Sequence, residues 1–311
     1  MQFRKLGTTD LAVAPLVLGG NVFGWTADKD TSFAILDAFL EAGYNAIDTA
    51  DVYNRYAPGL VGGESETVIG EWLQDRGVRD RVVIITKGGL PMGEGMEGLG
   101  RDYLPRACEA SLKRLRTDYI DVYMSHVPDP NVPIEETLET YQGLIDAGKI
   151  RVAACSNYST EQLAAAVAAG GDERARYAVV EPCYNLVARE QYEGAMEDLC
   201  LREGLGVIPY FALAAGFLTG KYRSKEDAAG RARAGTLAQF LTEPNFRKLK
   251  VLDRVAARHG ATMAQVALAW LMARPSVTAP IVSATSLNQL AEILLAAELK
   301  LAAEDFADLE Q

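Results

Sequence analysis

The chain has 311 residues, 49% of them apolar, and a net charge of -11 from 31 Lys and Arg against 42 Asp and Glu, which puts the pI near 4.9. That charge excludes a nucleic-acid partner, whose phosphates it would repel, and no window nears the ~18 uninterrupted apolar residues of a membrane span. The first residues, Met-Gln-Phe-Arg-Lys-Leu-Gly, hold no apolar signal core, so a cytoplasmic protein is expected, and Cys108, Cys155, Cys183 and Cys200 are too scattered for a disulfide framework or a metal site.

Residues 3–13 read as a small hairpin around Gly7-Thr-Thr-Asp10. Strand candidates then begin near Ala14, Ala46, Val82, Ile120, Arg151, Ala178, Gly206 and Thr278. Helical patterns fill the gaps over 30–42, 64–75, 101–116, 134–147, 159–169, 192–203 and 286–298. Pro133 with Glu135-Glu136, Ser159-Thr-Glu and Ser286 mark helix starts. Residues 212–244 read as loop, 245–274 as two helices, and 302–310 as a last one. Strands alternating with helices imply a parallel sheet, and near-continuous apolar strands are buried on both faces. Eight units match a closed (β/α)8 barrel, which fills about 250 or more residues as a single domain, here 1–311. An open doubly wound sheet is the alternative.

Three strand-like runs end on chemically useful residues: Ala46-Ile-Asp48 with Tyr53 five residues on, Val82-Val-Ile-Ile-Thr-Lys87, and Ile120-Asp-Val-Tyr-Met-Ser-His126. Catalytic residues of parallel barrels gather at such strand exits. A lysine closing a buried strand is costly unless its ammonium has a carboxylate or a wet cavity, and Asp48 is its natural partner. A phenol beside that ammonium is expected to have its pKa lowered, making Tyr53 a usable proton donor. A carbonyl oxygen between Tyr53 and His126 would be polarised and protonated. The hydride has to come from a nicotinamide, since no side chain carries one. Gly93-Glu-Gly-Met-Glu-Gly98 matches a dinucleotide fingerprint in letters only, because it does not turn a strand directly into a helix. His259 precedes Gly260 at a helix end, where capping accounts for it.

The order and spacing of several blocks resemble the aldo-keto reductases, and within them the bacterial and potassium-channel-β-like branch. These are Ile47-Asp-Thr-Ala-Asp-Val-Tyr53, Ile85-Thr-Lys87, Ser111 through Tyr123, Ser125-His126, Gly148 through Asn157, Tyr184-Asn-Leu186, Tyr210 through Tyr222 and Ala279 through Ser286. The resemblance implies the barrel, a catalytic tetrad of Asp48, Tyr53, Lys87 and His126, and a nicotinamide cofactor across the C-terminal mouth. Tyr53 would be the general acid, tuned by Lys87 and Asp48, with His126 orienting the carbonyl.

The same resemblance implies the cofactor contacts. Gly20 and Asn21 would face the cofactor. Ser156, Asn157 and Glu181 would hold the carboxamide, Glu181 standing where Gln is usual. Tyr210 would stack on the nicotinamide. Phe211, Leu213, Gly216 and Lys221 would line the pyrophosphate, and Ser283, Thr285 and Gln289 the adenosine end. NADP(H) is the family default. The stretch 283–290 has no Lys or Arg, so the charge-assisted hold on a 2'-phosphate is missing and NAD(H) use is expected as well. Trp25, Tyr53 and His126, with Phe23, Met92 and Val127, are candidates for the substrate pocket, and no metal is implied. The expected substrate is a small carbonyl compound or sugar, and the chain a monomer or homo-oligomer. Two alternatives stand beside this reading: a non-catalytic cofactor-binding regulatory subunit similar to channel β-subunits, and a barrel lyase or isomerase using Lys87 as a Schiff-base nucleophile.

Overall fold

The computed structural model describes residues 1–230 and 234–310. β1 (Arg4–Lys5) and β2 (Ala12–Val13) pair antiparallel as the hairpin expected over 3–13. The eight strands that follow are β3 (Val17–Gly19), β4 (Ala46–Asp48), β5 (Val83–Gly88), β6 (Ile120–Ser125), β7 (Ile150–Ser156), β8 (Tyr177–Glu181), β9 (Gly206–Val207) and β10 (Ile281–Val282). Each pairs parallel with its neighbour in chain order, and β10 returns to β3. Closure between β9 and β10 is made by backbone bonds from Thr278 N to Val207 O (2.8 Å) and Ile281 N to Pro209 O (2.9 Å). The sheet is thus a closed (β/α)8 barrel.

The helices are α1 (Lys29–Glu41), α2 (Glu64–Arg76), α3 (Leu104–Leu115), α4 (Ile134–Asp146), α5 (Thr160–Ala169), α6 (Ala195–Glu203), α7 (Ala234–Leu237), α8 (Glu243–His259), α9 (Met263–Met272), α10 (Leu287–Leu294) and α11 (Ala303–Leu309). Their starts are set by side chains that satisfy first-turn amides. Asp28 accepts from Thr31 N, and Ser159 and Thr262 form reciprocal capping boxes with Gln162 and Gln265. α3 begins at Leu104, not 101, because residues 101–103 form a turn and Tyr103 offers no capping oxygen. The 212–244 stretch holds short 3-10 turns and α7 among its loops.

Side-chain alternation along each strand separates two cores. Val17, Ala46, Ile85, Met124, Ala154, Val179, Ile208 and Ile281 point into the barrel. Leu6, Leu11 and Val13 of the hairpin close its lower end in the same cluster. The opposite face, with Ile47, Ile84 and Tyr123, packs against Trp72 of α2 and the other helices. Behind β5, Glu66 is fully buried and accepts from Thr86 Oγ1 and Arg114 Nε, each at 2.6 Å. His259 does more than end α8: its Nε2 lies 2.7 Å from Asp305 of α11. All four cysteines are free. Among the described residues no helix is long and apolar enough to cross a membrane.

Candidate active site

Two residues beyond each inward apolar residue except Val17, which leads to Gly19, lies an inward polar one. Ala46 leads to Asp48, Ile85 to Lys87, Met124 to His126, Ala154 to Ser156, Val179 to Glu181, Ile208 to Tyr210 and Ile281 to Ser283. A single period-two pattern, carried past the end of the apolar plug, therefore assembles a polar layer at the C-terminal mouth. The register supports it, with Gly19 opposite Asp48 and Ser156 opposite Glu181.

At the centre is Lys87, whose side chain is wholly buried. Its ammonium donates to Asp48 Oδ1 (2.5 Å), to the Thr49 carbonyl (3.0 Å) and to the Tyr53 hydroxyl (2.9 Å). Tyr53 in turn donates to Asp48 Oδ2 at 3.0 Å. The Tyr53 and His126 rings meet edge to face with centroids 6.1 Å apart. Asp48, Tyr53, Lys87 and His126 are thus brought together.

Glu181 joins this group. Its Oε2 lies 3.3 Å from Lys87 Nζ, and its charge and that of Asp48 act on each other across the same ammonium. Glu181 stands opposite Ser156 as the expected grouping with Ser156 and Asn157 has it, and its side chain also reaches the lysine. The alternation from Val179 could have revealed this placement.

The charge balance follows. Burial weighs against the Lys87 ammonium, but Asp48, Glu181 and Tyr53 together carry it well above the ordinary lysine range. Burial pushes Asp48 up against the pull of Lys87, and burial and Asp48 push Glu181 up to about 8. The expected lowering of Tyr53 is overturned. Burial first, and Asp48 next, hold the phenol well above its usual range, and Lys87 offsets only part of this. One nearby cation lowers a phenol's pKa, but here the loss of water and the carboxyls of Asp48 and Glu181 outweigh it. Tyr53 therefore keeps its proton in the resting site. Burial and Lys87 push His126 down to about 3, so its ring is neutral. Its Nδ1 is buried without a partner. An unmet acceptor is a lesser penalty than an unmet donor, which favours the proton on Nε2.

Around this centre Ser156 Oγ donates to the Glu181 carbonyl (2.9 Å). Asn157, at a left-handed φ of 62°, donates to the His126 carbonyl (2.9 Å) and accepts from the Tyr210 hydroxyl (2.8 Å). Gly20 N bonds the Asp48 carbonyl at 2.7 Å, and Asn21 accepts from Ser283 Oγ at 2.6 Å. Phe211 (φ 55°), Ala214 (49°), Ala215 (56°) and Gly216 (93°) put a run of left-handed backbone beside Leu213 and Lys221. Lys221 has no carboxylate partner among the described residues. Such backbone beside an ammonium set over the Tyr222 ring suits a bound anion, so these residues fit the diphosphate of a nicotinamide dinucleotide.

The adenosine-end candidates are already occupied with one another. Gln289 Oε1 accepts from Thr285 N (2.9 Å) and Thr285 Oγ1 (3.0 Å), and Ser286 caps α10. Trp25, Met92 and Val127 are half-buried in the loops after β3, β5 and β6. Phe23 is not a pocket wall: it is wholly buried in the strand–helix core, and its carbonyl accepts from Asn54. The 93–98 run is a loop tied back by Gly98 N to Gly89 O, not a helix start. A cavity of about 330 Å³ lies at the other end of the barrel. The two arginines lining it already pair with Asp121 and Glu203.

Comparison with known proteins places this architecture. Residues 15–311 match the model of the Aldo/keto reductase family. The chain is 32% identical to the L-glyceraldehyde 3-phosphate reductase of Escherichia coli (strain K12), over 100% of this chain and 92% of that protein. It is 33% identical to a probable voltage-gated potassium channel subunit beta of Oryza sativa subsp. japonica, over 96% and 92%. The uncharacterized oxidoreductase YrpG of Bacillus subtilis (strain 168) is also 33% identical, over 97% and 92%.

Proposed function

The chain belongs to the aldo/keto reductase family, and from that premise we propose that it is a nicotinamide-dependent, reversible reductase of aldehydes and ketones with Tyr53 as its general acid. The observation that carries this reading is the Tyr53 hydroxyl, bonded at once to Lys87 (2.9 Å) and Asp48 (3.0 Å) beside His126. The cofactor, when bound, supplies the hydride that adds to the carbonyl carbon. The substrate oxygen lies between Tyr53 and His126 and takes a hydrogen bond from His126 Nε2. As negative charge grows on that oxygen, the Tyr53 proton moves to it and the C–O bond becomes an alcohol. The phenolate left behind is held by the Lys87 ammonium. In oxidation the same proton returns to Tyr53.

Ser156 and Asn157 hold the carboxamide, Tyr210 flanks the ring, and Leu213, Gly216 and Lys221 meet the diphosphate. Ser283, Thr285 and Gln289 face the adenosine end, and with no Lys or Arg in 283–290 NAD(H) can serve beside the family's usual NADP(H). The E. coli relative's name points to a small aldehyde, and Trp25 walls the pocket that takes it. The chain works as one barrel domain in the cytoplasm, where free thiols such as its four persist.

Replacing Tyr53 by Phe tests this: turnover on an aldehyde panel is expected to fall roughly 10²–10⁴-fold. A loss of only a few-fold overturns the assignment and favours the regulatory-subunit reading that the rice relative suggests. The Schiff-base alternative is disfavoured, because a lysine held firmly as ammonium is no nucleophile.

A further inference from the structure

We propose that Glu181 is a positioning residue that holds a proton in the resting site, and that loss of that proton closes the reductive direction. This rests on the reading of Tyr53 as proton donor.

An ammonium has three hydrogens, and those of Lys87 are taken by Asp48, the Thr49 carbonyl and Tyr53. Glu181 Oε2 lies 3.3 Å from the same nitrogen but receives no hydrogen bond from any donor, although it is buried. Asp48 accepts from both Lys87 and Tyr53. Two buried carboxyls against one ammonium call for one added proton, and Asp48 and Glu181 both face Lys87 Nζ. The carboxyl without other donors is the one that keeps it.

Counting charge gives the same answer. Asp48, Lys87 and Glu181 are each at most 2% exposed. One ammonium and two carboxyls are neutral only with one added proton, and an uncompensated charge there has no water to screen it. The groups that act on Glu181 are Asp48 from β4, Tyr53 after it, Lys87 from β5 and Tyr210 after β9, with the uncharged Ser156 opposite it on β7. None adds a second cation. Burial and Asp48 place the titration near pH 8.

Protonated, Glu181 donates to Asp48 and helps aim that carboxylate at Lys87 and Tyr53. Ionised, it puts a net negative charge beside the phenol and opposes formation of the phenolate that reduction leaves behind. The test is the pH dependence of kcat/KM for carbonyl reduction between about pH 6 and 10, with NADPH and NADH, in the wild type and Glu181→Gln. The wild type is expected to fall about tenfold per pH unit above its alkaline limb, and the variant to stay flat across that range. An alkaline limb shared by both proteins, or absent from the wild type, overturns the proposal.

Infrared difference spectra of the cofactor-free proteins give a second readout. A protonated-carboxyl C=O band is expected near neutral pH in the wild type and is lost in Glu181→Gln. Identical spectra also overturn the proposal. If the band behaves as expected but no carbonyl is reduced by either protein, the reductase reading fails and with it the gating role, while the proton's location stands.

Discussion

Glu181→Gln is expected to stabilise the cofactor-free protein at neutral pH. In the unfolded chain this carboxyl titrates near 4.5, and in the folded site near 8. The folded state binds the proton more tightly. The group's contribution to stability is therefore whole below about pH 4.5 and is lost as pH rises through about 8. At about 1.36 kcal/mol per pH unit the full loss is about 5 kcal/mol, of which about 3 kcal/mol is already lost at pH 7. Gln reproduces the protonated carboxyl, with Nε2 donating toward Asp48 and Oε1 placed as an acceptor facing Lys87, and has no proton to keep. Unfolding entropy of about 2.1 cal/mol/K per residue sums to about 0.65 kcal/mol/K for this chain, so the gain corresponds to a rise in Tm of about 5 °C. Thermal melts of both proteins at about pH 4.5, 7 and 8.5 would measure it. The difference should be near zero in acid and widen steadily with pH. Melting temperatures that agree at pH 7, or a gap that does not close in acid, would refute the charge count on which the argument rests.

Lys87→Met removes the only cation from a dry site and leaves Asp48 beside Glu181. It should cost about 3–5 kcal/mol in denaturant unfolding, more at high pH, and abolish carbonyl reduction. Glu66→Ala leaves the Arg114 guanidinium without its buried acceptor behind β5, so chemical denaturation should show a loss of about 3 kcal/mol or more. Leu6→Ala opens a void under the barrel at a wholly buried position. It should cost about 2–5 kcal/mol while kcat stays within a factor of two, since the lower face serves stability. The ratio of kcat/KM for NADPH over NADH should lie within about tenfold of unity, because no cation in 283–290 rewards the 2'-phosphate. A ratio above about 10³ would contradict that reading.

Much of this was legible in the residues. The βα alternation located all eight barrel strands, and the strand exits marked Asp48, Lys87 and His126, because apolar runs and their interruptions are local properties of a sequence. Tyr53's acidity was not legible in the same way. It depends on how many carboxyls share one ammonium and on how little water remains, quantities set by packing between β4, β5 and β8. Glu181 shows the intermediate case. Alternation from Val179 placed it inward, but only the closed barrel puts it within 3.3 Å of Lys87. Phe23 reads as a loop aromatic and is core, since the turn after β3 folds back against the strand layer. The backbone at 211–216 escaped altogether, since Phe211, Ala214 and Ala215 carry none of the usual signals for a left-handed turn.

The barrel's closure also sets the order in which this protein can mature. The partners of Lys87 lie both before it and far beyond it in the chain, and β10 must bond residues 207–209 before the ring is complete. A chain made from its N-terminus has Asp48, Tyr53 and Lys87 long before β8 and β10 exist. Stripping water from that lysine while its second carboxyl is missing is unfavourable, and contacts so distant in sequence form slowly. Lys87 has its full set of partners only once β8 is in place and the ring is closed, so the drying of the site is tied to closure of the barrel.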